Sequence, residues 1–196
     1  MIQSRKAVVG IGTLIIFIAT IVVSLIAAAV LINATGVLQE RALEVEEAAR
    51  ERLVTGLEVY SVNVYGNTTT EEIYGVELLT RLRPGSSPVQ LQTTGLTLDS
   101  PIGFYSAELN SAIINDDCTF DNLNDETEFC IIDRFGEGNT VVEIGDLYII
   151  RYRLPADGEL PTFTEFEISL TPRLGGIETV ELRTPDLVLA DRIRLR

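Results

Sequence analysis

The residues best suited to chemistry lie together in one acidic stretch. Cys118 and Cys130, the chain's two cysteines, flank a segment carrying Asp121, Asn122, Asn124, Asp125, Glu126 and Glu128, and Asp116 and Asp117 precede it. Two thiols at this spacing either stay free or close a loop of about 13 residues, worth roughly 3 kcal/mol in the chain-entropy model. Export to an oxidising compartment favours the disulfide. Hard oxygen ligands in a loop can also hold Ca2+. Asp121, Asn124 and Asp125 are the candidates, but the turn glycine and terminal bidentate Glu of an EF-hand are absent. A solvated acidic loop is therefore preferred over a calcium site. Asn67-Thr68-Thr69 is a glycosylation sequon at a turn. Asn33-Ala34-Thr35 matches the same pattern, but inside an expected helix, where a glycan would clash with packing.

The composition closes off most catalysis. The chain has 196 residues, 29 acidic and 15 basic, a net charge of -14, and neither His nor Trp. Without His there is no Ser/His/Asp or Cys/His nucleophile and no His-ligated metal. A pair of cysteines cannot supply a four-thiolate zinc or iron–sulfur site. Nucleic acid is a poor partner for so acidic a chain, because that affinity rests on Lys and Arg neutralising phosphates. Carboxylate pairs remain for acid/base work, yet nothing places two of them in a pocket. No catalytic residue is assigned, and the expectation is a protein that is not an enzyme and needs no cofactor. Lys6 is the single lysine, and acidity with so little Lys resembles proteins that work at high salt, where screening removes self-repulsion.

Two elements must carry these residues. Residues 7–39 hold no formal charge, and residues 7–32 are almost wholly apolar. As a helix that apolar run spans roughly 39 Å, more than the roughly 30 Å hydrocarbon core of a bilayer. Arg5 and Lys6 at its start predict a cytoplasmic N-terminus and an exported body. A cleaved Sec-type signal needs a shorter apolar core. Helical periodicity continues through Leu38, Ala42, Val45, Ala49 and Leu53. The spacing predicts one helix over 8–55, stopped at Gly56 as a left-handed cap and softened at Gly36. A helix apolar all round must be buried in lipid or protein, and its small residues allow close helix–helix approach. The amphipathic stripe would meet a neighbouring helix or the chain's own body.

From residue 57 onward the pattern changes to short strands separated by turns. Strands are expected over 57–65, 73–82, 89–98, 102–109, 130–135, 141–154, 163–170, 177–182 and 187–195. So many short runs with regular turn signals predict an antiparallel β-sandwich over 57–196. The fold class is α+β, a long apolar helix followed by a sandwich.

The string Gly10-Ile11-Gly12-Thr13-Leu14-Ile15-Ile16-Phe17-Ile18-Ala19, followed by Ala27-Ala28-Ala29-Val30-Leu31-Ile32-Asn33, resembles the archaellins, filament subunits of the archaeal rotary swimming organelle. The resemblance covers about the first 50 residues. It implies a basic leader, residues 1–7, removed by a prepilin-type peptidase after Arg5-Lys6-Ala7, so that Val8 becomes the first mature residue. The family usually has Gly where this chain has Ala7. It implies an assembly helix whose packing residues include Gly10, Gly12, Thr13, Leu14, Phe17, Ala27, Leu31, Leu38, Val45 and Leu53. It further implies an immunoglobulin-like outer domain and frequent glycosylation, which raises the standing of Asn67. The expected partners are other copies of the chain or related archaellins, the peptidase, and a membrane assembly platform with its ATPase and motor. The expected location is an extracellular filament, reached from a single-pass membrane precursor. Bacterial-type pilins carry Glu at the fifth mature position, which here is Gly12. An archaeal adhesion pilin and a membrane-anchored external β domain remain the alternatives.

Overall fold

The protein is described from a computed structural model over residues 2–123 and 127–196. Helix α1 runs from Ile2–Val54 as 53 residues without interruption, through Gly36 included. It begins earlier than the expected residue 8, and no Pro or Gly between Ile2 and Val8 breaks it. It ends one residue before the expected limit. Gly56 does not close it in a left-handed conformation; the glycines with positive φ are Gly85, Gly138, Gly145 and Gly175.

Twelve strands follow among the described residues. They are β1 (Leu57–Asn67), β2 (Glu72–Leu82), β3 (Val89–Gln90), β4 (Gly95–Asp99), β5 (Phe104–Ile114), β6 (Glu128–Phe135), β7 (Val141–Val142), β8 (Leu147–Arg153), β9 (Leu160–Pro161), β10 (Glu165–Thr171), β11 (Glu178–Arg183) and β12 (Arg192–Arg194). The main hydrogen-bonded path is β11-β10-β4-β5-β6-β8-β2-β1-β12, with β9 added beside β2 and a separate β3–β7 pair. The two halves of β5 have different neighbours. Residues 104–107 pair with β4, whereas Glu108, Leu109 and Ile114 pair with β6 across an irregular register. The strand thus passes from one layer to the other. Leu96, Leu98, Phe166, Ile168 and Val180 from one layer pack in a single buried cluster with Leu57, Val62, Val64, Val76, Leu78 and Ile150 from the other. That shared core makes the sheet a sandwich. The expected antiparallel pairing needs one correction, because β5–β6 is parallel. A parallel neighbour needs a crossover, and the segment between Ile114 and Glu128 provides it.

Three expected strands also change. The run 89–98 is interrupted by a 3-10 turn at Leu91–Thr93. There the Leu91 side chain is fully buried, and its amide donates to Thr140 O at 2.9 Å. The run 141–154 is cut by a turn in which Asp146 Oδ2 accepts from the Glu143 amide and Glu143 O accepts from the Asp146 amide. The run 187–195 contracts to β12, and Leu187 and Leu189 are exposed. The inward positions of that stretch are Val188, Ile193 and Leu195 instead.

Candidate functional site

From Gly10 onward α1 is exposed up to Val54, and no residue of its most apolar window is buried. That window has mean hydropathy 3.1. Leu14, Phe17 and Leu31 on the helix are exposed at 58, 63 and 65 %. Leu38, Val45 and Leu53 lie further along at 65, 68 and 81 %. At Gly10 and Gly12 an added Cβ would meet nothing within 4 Å. The hydroxyls of the apolar stretch turn back onto their own backbone. Thr13 Oγ1 donates to Gly10 O at 2.9 Å, Thr20 Oγ1 to Phe17 O at 2.8 Å, Ser24 Oγ to Thr20 O at 2.7 Å and Thr35 Oγ1 to Leu31 O at 2.9 Å. These polar groups need no water. The element therefore suits lipid or a bundle of other helices. Ala27 belongs to the same exposed stretch. Arg5, Lys6, Ala7 and Val8 sit on helical backbone, and their side chains lie outside the described ones.

The C-terminal end of α1 is held by a clasp. Thr55 N donates to Glu51 O as the last helical bond. Ser86 Oγ then accepts from the Gly56 amide and donates to Val54 O, each at 3.1 Å. Thr55 Oγ1 accepts from the Ser87 amide at 3.2 Å, and Thr55 O accepts from the Gly176 amide at 2.9 Å. Arg83 joins Glu178 at 2.8 Å beside this point. Gly175 has φ of 113° and lies so close that an added Cβ would overlap the carbonyl oxygen of Thr55. Two carbonyls at the helix end, Val54 O and Thr55 O, are thus met by turns distant in sequence. Sequence reasoning read Gly85-Ser86-Ser87 only as a turn, because a capping partner some thirty residues away leaves no local signature.

A second constellation organises the outer face. Cys118 and Cys130 form a disulfide and, with Leu123, a small core of their own flanked by Ile113 and Ile132. The crossover segment is pinned to the sheet by Phe120. Its ring lies 4.6 Å from that of Tyr65 and 5.8 Å from that of Tyr74. It covers Gly75, where a Cβ would come within 2.5 Å of it. Arg151 Nη1 donates to Cys118 O and Arg153 Nη1 to Phe120 O, both at 2.8 Å. The anchor of this network is Glu77, 1 % exposed on β2. It takes Arg151 at 2.9 Å and Arg192 at 2.6 Å, and it accepts from Tyr65 Oη and Asn63 Nδ2 at 3.1 Å each. Burial pushes the Glu77 carboxyl up. The hydrogen bond and charge of Arg151, the charge of Arg192 and the Tyr65 hydroxyl outweigh it and hold the carboxyl below its usual value. Sequence reasoning missed Glu77, because one Glu in a strand looks like any solvated carboxylate until its neighbours are known.

The remaining site residues are dispersed. Asn67 ends β1, is exposed, and accepts through Oδ1 from the Thr69 amide at 2.9 Å. Asp121 is exposed, whereas Asn124 and Asp125 lie outside the described residues. Among the described residues no group of three or more His, Cys, Asp or Glu could hold a metal ion.

Known proteins align with this architecture along nearly its whole length. The family model for archaeal-type flagellin matches residues 7–181. Flagellin B1 of Methanococcus voltae is 30 % identical over 202 residues, covering 94 % of this chain and 92 % of the relative. Flagellin B1 of Methanocaldococcus jannaschii is 28 % identical over 200 residues, with the same coverage. Among solved structures, the crystal structure of archaeal flagellin FlaB1 from Methanocaldococcus jannaschii superposes with a TM-score of 0.65 at 18 % identity, covering 72 % of this chain and 96 % of that one. The archaeal flagellum of Methanospirillum hungatei superposes with a TM-score of 0.64 at 12 % identity, covering 90 % and 94 %. Both matches carry the β domain's fold, and the second, over 90 % of this chain, extends into the long helix as well. With a family match spanning helix and sandwich alike, this chain belongs to the archaeal-type flagellin family.

Proposed function

We propose that this chain is the repeating subunit of an archaellum, the filament that drives archaeal swimming, and that α1 is its assembly element. The observation that carries this reading is the helix itself. Residues 10–39 carry no charge and form an apolar surface, and no residue of the most hydrophobic window is buried, so this stretch requires lipid or copies of itself. In the precursor the helix spans the membrane once, with Arg5 and Lys6 on the cytoplasmic side and the sandwich outside. A prepilin-type peptidase removes residues 1–7 before assembly. Helices then leave the lipid for a central bundle. Van der Waals packing across small residues such as Gly10, Gly12 and Ala27 replaces contacts with acyl chains. Repetition of one non-closing contact makes a helical filament. The sandwiches face outward, and the disulfide and Asn67, the proposed glycan site, lie on them. No catalysis and no cofactor enters this reading. Export platform, assembly ATPase and motor are its partners by family. The test is to shear filaments from cells and identify the N-terminal peptide by mass spectrometry. A filament peptide beginning at Val8 is expected. A chain retaining Arg5 and Lys6, confined to the membrane fraction, would overturn the reading.

A further inference from the structure

One outer face of the sandwich carries a row of carboxylates, and the β12 edge of the other layer carries arginines. In the layer of β4, β10 and β11, Leu98, Ile168 and Val180 point into the core, so the alternate positions point outward. On that outer face Glu167 stands directly opposite Asp99 on one side and Glu181 on the other. Like charges placed directly across a sheet destabilise it, and among the described residues none of these three forms an ion pair. The Arg on the same face, Arg183, stacks its guanidinium over Phe163 at 3.5 Å. The row borders a shallow recess of about 680 Å³ that also takes in Pro101 and Leu182. In the other layer, β12 packs Ile193 against the core and turns Arg192 and Arg194 outward. Arg192 serves Glu77. Arg194 is exposed, has no carboxylate partner among the described residues, and donates only to Arg196 O at 3.0 Å. Beside it lies a recess of about 450 Å³ formed with Tyr60, Ser61 and Leu79.

We propose that the carboxylate face of β4–β10–β11 on one copy docks against the Arg-bearing β12 edge of the next. This rests on the filament reading above. Copies of a chain with net charge -14 repel one another unless the surfaces that meet are complementary, and these two surfaces are. They sit at opposite ends of the sheet, β11, β10 and β4 at one end and β12 at the other. A contact between different surfaces is heterologous, and it propagates as a filament where the rotation does not close. The helices supply burial without strict register. The charge contact between sandwiches fixes register, as complementary charges do at other interfaces.

The chain's single lysine, Lys6, makes the contact testable by zero-length cross-linking of filaments of the full chain. Arg194→Lys puts one primary amine on β12, and carbodiimide joins it only to a carboxylate in direct contact. The expected result is a ladder of covalent multimers, with amides linking the β12 peptide to peptides containing Asp99, Glu167 or Glu181. The ladder is lost when Asp99→Asn, Glu167→Gln and Glu181→Gln are added. Arg196→Lys offers an amine on the same segment and keeps the test decisive where Arg194→Lys chains do not assemble. Filaments without a ladder, or with amides mapping to other carboxylates, would overturn the docking and leave the filament reading standing. Failure of the unaltered chain to appear in filaments would instead overturn the filament reading.

Discussion

At the residue scale, Glu77 and the disulfide carry the strongest expectations. Glu77 has its pKa held low in the folded protein, chiefly by Arg151 and Arg192 working against burial. A carboxyl with a lowered folded pKa contributes stability that is present above the unfolded value and lost as pH falls through the folded one. The thermal midpoint of the detergent-solubilised full chain should therefore drop below about pH 4, the ordinary carboxylate range. Glu77→Gln should flatten that acid limb. It should also cost about 1.5–3 kcal/mol at neutral pH, because it removes the buried carboxylate that Arg151 and the largely exposed Arg192 hydrogen-bond. An acid limb unchanged in the variant would assign the sensitivity to other carboxyls. Tyr148 provides the alkaline counterpart. Burial, then the charges of Asp133, Asp146, Glu143 and Glu137, push its hydroxyl up to about 12. Its contribution is full below the usual tyrosine pKa and fades as pH rises through about 12. Cys118→Ser should lower stability by roughly 3 kcal/mol under oxidising conditions. Equal midpoints for variant and parent without reductant would show that the disulfide does not stabilise the fold.

At the scale of elements, the helix and its clasp are separable. Gly12 lies in the apolar half of α1 with open space around it in the single chain. Gly12→Glu should abolish filament formation while leaving the sandwich's thermal midpoint unaltered, since an unpaired carboxylate is expensive in a bundle or in lipid. Sheared-filament yield checks this, and a normal yield would place the helix in water. The clasp acts in the other direction. Ser86→Ala leaves the Gly56 amide without its acceptor, a loss of about 1–3 kcal/mol for a buried donor. The expected readout is faster amide exchange at residues 54–56 with the sandwich core still protected. Exchange confined to its parental rate there would mean that the Arg83–Glu178 pair and the Gly176–Thr55 bond hold the helix end by themselves.

At the scale of the whole molecule, the chain divides into compact units at residues 1–49 and 50–196, and the two do different work. One presents an apolar surface that only other copies or lipid can cover. The other buries a core of its own and exposes charged residues together with scattered apolar ones such as Phe104, Phe135 and Ile144. A filament subunit needs both, because burial drives association while a soluble exterior keeps the finished polymer from bundling.

The sequence by itself determined the helix, the change of period near residue 56, and the class of the body. These are local properties. An uncharged apolar run dictates burial whatever surrounds it, and alternation every two residues dictates a half-buried strand. It also made the Gly10–Ala19 string legible as family. Only the tertiary structure decided the parallel β5–β6 pairing, the break at Leu91–Thr93, the clasp of Ser86 on the helix end and the burial of Glu77. Each depends on residues far apart in the chain, and no spacing rule reports which strand becomes a neighbour. Glu77 illustrates the reason: its type and flanking residues are those of a surface carboxylate, and it becomes an anchor only because Asn63, Tyr65, Arg151 and Arg192 arrive beside it from three other strands.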